Sequence, residues 1–224
     1  MNENIQVLDI QLNNITVKDA MKCVMSYMET EPVSVIEMVT MNTLAKFQDT
    51  EGTDDIFRQF DLVLASDRGI LEAAGVTEER YLKEADDLLF VKMVMKYLHR
   101  NDTRVILLAQ SQSDLEKLEQ YVEENYSHIR VIESATIEEQ GTSDDMLLNL
   151  VNGAETACIL SVLPSPLEEE FISRNKALVN ARLWLGLGNL LNEMKKKKTR
   201  LWKVKEFILR QILKSEMAKK GENA

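Results

Sequence analysis

Apolar residues recur along the chain in short blocks of two different periods. Val17, Ala20, Met21, Val24, Met25 and Met28 lie three and four apart, which predicts an amphipathic helix capped by Thr16, with Asp19 three residues on. Short runs rich in Val, Ile and Leu occupy 34–41 (SVIEMVTM), 61–65 (DLVLA), 104–109 (RVILLA), 129–133, 156–163 (TACILSVL) and 181–188. These read as strands, and the most uniformly apolar of them suit a sheet covered on both faces. Residues 5–10 (IQVLDI) read as a further strand and Asn13-Asn14 as a turn. Helical patterns fill the gaps: 42–49, 54–59, a long stretch over 77–100 with Thr77 as cap, and 143–152. Another ends near Tyr126 and starts from a Ser113/Glu116 capping box. An acidic helix opens at Pro164-Ser165-Pro166, and a last helix covers 199–215.

Strand and helix thus alternate almost strictly. The expected fold is α/β: a doubly wound, mostly parallel sheet of six or seven strands with helices on both faces. In such folds ligands bind beyond the carboxyl ends of the strands. The segments to inspect are therefore 40–43, 65–69, 109–113, 133–141, 164–168 and 186–190. No internal repeat or long linker divides the chain, so residues 1–192 are expected to form one domain and 193–224 a basic helix and tail.

Composition narrows the function classes. The 224 residues are 45% hydrophobic and 29% charged, with a formal net charge of −10, which fits a soluble globular protein. The charge is uneven: residues 193–224 carry eleven basic and four acidic side chains, a local +7 against −17 for the rest. An acidic body opposes nucleic-acid binding, so no nucleic-acid partner is expected. No apolar run approaches a membrane span, and the amino end lacks the features of a signal peptide. Two cysteines, Cys23 and Cys158, and two histidines, His99 and His128, show no metal-ligand spacing, so neither a metal site nor a cofactor is expected. Cys23 lies on a Met-rich helix face and reads as core. The cysteine usage suggests a reduced, cytoplasmic setting.

The blocks VLDIQLNNITVKDAM, VTMN, FDLVLASDRG, EER, RVILLA, LPSPLEEEFI and WLGLG follow one another from about residue 5 to residue 210. In this order they resemble the WecG/TagA/CpsF glycosyltransferases. The resemblance implies an α/β enzyme that moves an N-acetylmannosamine-type sugar from UDP to a membrane-anchored, lipid-linked acceptor, inverting the anomeric centre without a metal. Such a transfer needs a base for the acceptor hydroxyl and a group to offset charge on the departing diphosphate.

Carried over by position, the family's Thr-x-Asn is Thr40-Met41-Asn42, which would contact sugar or acceptor; alternatively Asn42 or Thr43 caps a helix. The family's Pro-Asp-Gly-x-Gly, which bears the base, is Ala65-Ser66-Asp67-Arg68-Gly69. Ser66 stands at the base position and a carboxylate follows at Asp67, either as a displaced base or as a helix cap. Arg80 matches an arginine placed near the phosphates, although an i,i+4 pair with Glu84 explains it equally. The nucleotide loops correspond to Gln110 and Ser111 after the 104–109 strand, and to Gly186 and Gly188. The Pro-Lys-Gln-Glu-Lys-Trp block becomes Pro166-Leu167-Glu168-Glu169-Glu170-Phe171, with Glu168 at a substrate-contact position and an acidic helix start.

Two functions are consistent with these residues. One is transfer of an N-acetylhexosamine from UDP to a lipid-linked acceptor in cell-envelope polysaccharide or teichoic acid synthesis. The other is a catalytically degenerate relative, a pseudoenzyme that binds or scaffolds. Residues 195–214 pair an apolar face (Leu201, Val204, Ile208, Leu209, Ile212) with lysines and arginines. That face suits the domain core, a partner subunit in a homo-oligomer, or peripheral contact with an anionic membrane.

Overall fold

The structure is a computed structural model and describes residues 3–48, 50–137, 143–188 and 190. The expected α/β class holds. Six strands form one all-parallel sheet: β3 (Ser34–Val39), β4 (Leu62–Ala65), β5 (Arg104–Ala109), β6 (Arg130–Thr136), β7 (Cys158–Val162) and β8 (Leu183–Gly186). Their spatial order is β4-β3-β8-β7-β5-β6. Every residue of β3, β7 and β8 is buried, as their nearly continuous apolar runs require.

Nine α-helices cover the two faces among the described residues. They are α1 (Val17–Tyr27), α2 (Met41–Phe47), α3 (Thr53–Phe57), α4 (Arg68–Ala73), α5 (Glu79–Asp86), α6 (Leu89–Arg100), α7 (Gln112–Asn125), α8 (Asp144–Gly153) and α9 (Leu167–Asn175). One face of the sheet (Ile36, Leu107, Leu160, Leu185) packs with Val24 of α1, Leu98 of α6 and Leu118 of α7. The adjacent side chains along each strand face the other way. There Val35, Leu108, Ile159 and Trp184 meet Leu44 of α2, Phe57 of α3, Val151 of α8 and Phe171 of α9.

Five expectations are corrected. Residues 5–10 are not one strand but parts of an antiparallel hairpin, β1 (Glu3–Val7) and β2 (Ile10–Asn14), with Val7 opposite Ile10. The turn is Leu8-Asp9, and Leu8 takes φ 55° without the usual glycine or asparagine, so the sequence hides it. The left-handed residue costs about 1–2 kcal/mol, which the complete burial of Val7, Ile10 and Leu12 offsets. Asn13 and Asn14 are consequently strand residues rather than a turn.

The stretch 77–100 is not one helix. It breaks at Leu88 (φ 49°) into α5 and α6, because Leu82 packs with Leu71 and Val76 while Phe90 to Leu98 packs on the sheet. A straight helix cannot serve both clusters. Its start is at Glu78 rather than Thr77, with no side-chain cap. The cap of α7 is Ser111, not Ser113: its Oγ accepts from the Asp114 N–H at 3.3 Å. The remaining strands and helices differ from expectation only at their ends. The helix expected at 199–215 lies outside the described residues.

At the carboxyl edge the chain leaving β5 runs outward to β6, while the chain leaving β7 runs the opposite way to β8. This reversal creates the crevice expected in doubly wound sheets. No helix among the described residues is long and apolar enough to cross a membrane.

Candidate active site at the carboxyl edge of the sheet

Strand register sets the floor of the crevice. Glu37 pairs with Gly186, and Gly186 with Ser161, so three neighbouring strands present these positions side by side. Since Val35 and Val39 face the cluster that contains α9, Glu37 between them does too. Gly186 supplies the room. A Cβ there would overlap Glu37 Oε2 and lie 3.1 Å from Glu168 Oε1.

Glu168 and Glu169 occupy the first turn of α9 and are each 1% exposed; Glu37 is 2% exposed. Glu168 Oε1 accepts from the Trp184 indole N–H at 2.6 Å. Ser165 Oγ lies 2.5 Å from Glu169 Oε1 and 3.2 Å from Thr43 Oγ1, and Thr43 in turn forms a capping box with Thr40. One oxygen of each carboxyl, Oε2 in all three, has no hydrogen-bond partner. Burial, then the mutual proximity of the carboxyls, pushes Glu37 well above the usual carboxylate range. Burial pushes Glu168 up to about 8 despite its bond from Trp184. Burial also raises Glu169, against the bond to Ser165. The positive end of α9 works in the opposite direction, but is worth at most about 2 kcal/mol. Desolvating an unpaired carboxylate costs several kcal/mol, so burial outweighs the helix end and favours the protonated form of each.

The residues singled out in the sequence divide into two groups. Thr40, Ser66, Asp67, Gln110, Ser111, Gly186, Gly188 and Glu168 lie at or just beyond the carboxyl ends of strands. Thr40 caps α2 itself, rather than Asn42 or Thr43, and is buried. Asn42 is exposed within α2. Ser66 N–H donates to the Val39 carbonyl, and its buried Oγ has no hydrogen-bond partner. Asp67 caps α4: its Oδ1 accepts from the N–H groups of Gly69 at 2.7 Å and Ile70 at 3.1 Å. Gln110 is exposed. Gly188 adopts φ 45°, a conformation that suits glycine. Arg80 lies apart on α5, 62% exposed, with its Nε 3.1 Å from Glu84 Oε1. Glu168 is a buried helix residue rather than a loop residue, so it does not present a charge to solvent.

Strand spacing places Gln110, beyond β5, about 14 Å from Thr40, beyond β3, with Gly186 between them. An elongated ligand lying across the edge would span these positions. On the opposite face of the sheet a cavity of about 50 Å³ adjoins Ala65, lined by Asn13, Met38, Leu64, Tyr81 and Glu84. That volume holds a few waters rather than a sugar.

Sequence reasoning missed Glu37, Glu169 and Arg68. A charged residue inside an apolar run on a central parallel strand is necessarily buried, and that signal marks Glu37 in SVIEMVTM. Arg68, beside Asp67, is neutralised by Glu72 at 2.7 Å and Glu79 at 2.8 Å, which hold its guanidinium charged. Among the described residues no group of three or more His, Cys, Asp or Glu side chains could hold a metal ion. Cys158 is buried and its thiol is pushed up by that burial, and His99 Nδ1 accepts from the His128 backbone N–H.

A doubly wound α/β domain with its polar groups gathered at the carboxyl edge defines the class. The chain belongs to the glycosyl transferase WecG/TagA/CpsF family, whose sequence profile matches residues 5–201. Members of that family are glycosyltransferases of cell-envelope polysaccharide synthesis. A comparison with curated proteins finds no match.

Proposed function

We propose that the protein transfers an N-acetylhexosamine, of the N-acetylmannosamine type, from UDP to a lipid-linked acceptor at the cytoplasmic face of the membrane. The product belongs to a cell-envelope polysaccharide or teichoic acid. Family membership over residues 5–201 carries this reading. The acceptor hydroxyl attacks the anomeric carbon while the bond to the diphosphate breaks. Its proton passes to Asp67, and Arg80 offsets charge on the departing UDP. Ser66 stands beside the base, Thr40 and Asn42 hold sugar and acceptor, and Gln110, Ser111, Gly186 and Gly188 receive the nucleotide.

A second reading, a binding or scaffold protein without turnover, draws on a specific observation. Asp67 Oδ1 already takes two backbone N–H groups, and Arg80 and Arg68 are both in ion pairs with glutamates. Titration with UDP and UDP-N-acetylhexosamine by calorimetry, then turnover with a lipid-linked acceptor, separates the two. The expected result is saturable UDP binding, with transfer lost in Asp67→Asn while binding persists. Asparagine keeps the helix cap and removes only the base. Absence of binding at millimolar UDP would overturn transfer and leave the second reading.

A further inference from the structure

We propose that Glu37, Glu168 and Glu169 form a proton-held clasp: protons on their buried carboxyls pin the first turn of α9 to β3 and β8, and their loss on the alkaline side releases that turn from the sheet edge. The clasp is independent of which functional reading holds.

Three features of the packing carry it. Glu37 and Glu168 come from two elements far apart in sequence and converge over Gly186, the one position in the row without a side chain, while Glu169 adds its charge from the next position of the same helix turn. Each has an oxygen with no partner, and Glu37 Oε2 and Glu168 Oε1 crowd the same point above Gly186, so a proton on one carboxyl has an acceptor close by. No described cation neutralises them. Their other neighbours are Trp184 of β8, Ser161 of β7, Ser165 of the preceding turn and Thr43 of α2, all neutral.

The charged groups on the surrounding elements are engaged elsewhere. On α9, Glu170 is half exposed, and Arg174 bonds to Asp144 of α8 at 2.9 Å. Just after α9, Lys176 bonds to Asp61 at 2.7 Å. On α3, Asp54 pairs with Arg58, and Asp55 is exposed. Ionising the cluster therefore leaves carboxylates buried against each other with no counter-charge. Opening the turn to water relieves this.

The direction in pH follows from linkage. The closed form holds its protons more tightly than the open form, so closure is fully favoured below about pH 4, the ordinary glutamate range. It weakens as pH rises, until the closed-form pKa of about 8 for Glu168 is passed. Hydrogen exchange of residues 163–172 in the full chain, corrected for intrinsic chemistry, measures this opening from pH 5 to 9.5. The opening constant is expected to rise with pH, about tenfold per pH unit for each proton released, with the contribution of Glu168 levelling off above about pH 8. The double variant Glu37→Gln/Glu168→Gln, which leaves only Glu169 to titrate, should flatten most of the rise. Wild-type protein should also show an infrared band of protonated carboxyl at pH 7 that disappears on alkaline titration. An opening constant independent of pH, an equal rise in the double variant, or absence of that band at pH 7 would overturn the clasp. The infrared measurement decides the matter if the double variant does not fold.

Discussion

Replacing Gly186 with alanine sets a methyl group against Glu37 Oε2 and Glu168 Oε1, both held by a fully packed sheet and helix. Neither carboxyl can swing into water without dragging a buried strand or helix turn with it. Overpacking of this kind costs about 1–3 kcal/mol, and Gly186→Ala should lose that much in urea unfolding. Combining it with Glu37→Ala, which vacates the space the methyl needs, should abolish the additional penalty. An equal penalty in both backgrounds would place the strain elsewhere. The same two atoms explain why Gly186 and Gly188 are not equivalent: Gly186 provides room, whereas Gly188 provides a backbone angle.

The hairpin β1–β2 closes one edge of the sheet. Asn13 Oδ1 accepts the Val63 N–H of the edge strand β4 at 2.8 Å, a bond from side chain to backbone that no further strand supplies. Leaving that donor unmet costs about 1–3 kcal/mol, so Asn13→Ala should lower the urea midpoint accordingly, with Asn13→Asp restoring much of it. No change in Asn13→Ala would mean that water serves the donor equally well. This contact also marks what was legible in the chain. The six parallel strands followed from apolar runs, because a strand covered on both faces carries its signal in every residue. The hairpin did not, since its turn rests on a leucine with positive φ. The α5–α6 break did not either, since two separate packing partners, rather than any local residue, dictate it. At the site, the residues beyond the strands were legible by position and the buried carboxyls were not. Glu168 and Glu169 read as a charged helix start until α9 is seen lying with that turn against the sheet.

For the whole molecule the charge distribution is uneven. The body formed by residues 1–192 carries −17 and residues 193–224 carry +7. Near an anionic membrane the body is repelled and the tail attracted, so the two would orient the molecule as well as anchor it. We expect the intact chain to float with vesicles containing anionic lipid, in a salt-sensitive manner, and a chain ending at Met194 to remain in solution. Equal flotation of both would reject membrane contact through 195–214.

The strand order has a consequence for biosynthesis. Among the described residues β8 is the last strand to leave the ribosome, yet it lies between β3 and β7 and joins the β3–β4 pair to the β7–β5–β6 trio. Until it arrives, the nascent chain carries two partial sheets, each with an unpaired inner edge that invites non-native pairing. Closure must then wait for a contact between residues 34–39 and 183–186, nearly the full length of the described chain. Such long-range pairing slows folding. A chain cut short before Leu183 would therefore be prone to aggregate rather than to fold in part, even though most of its hydrophobic core residues would already be present.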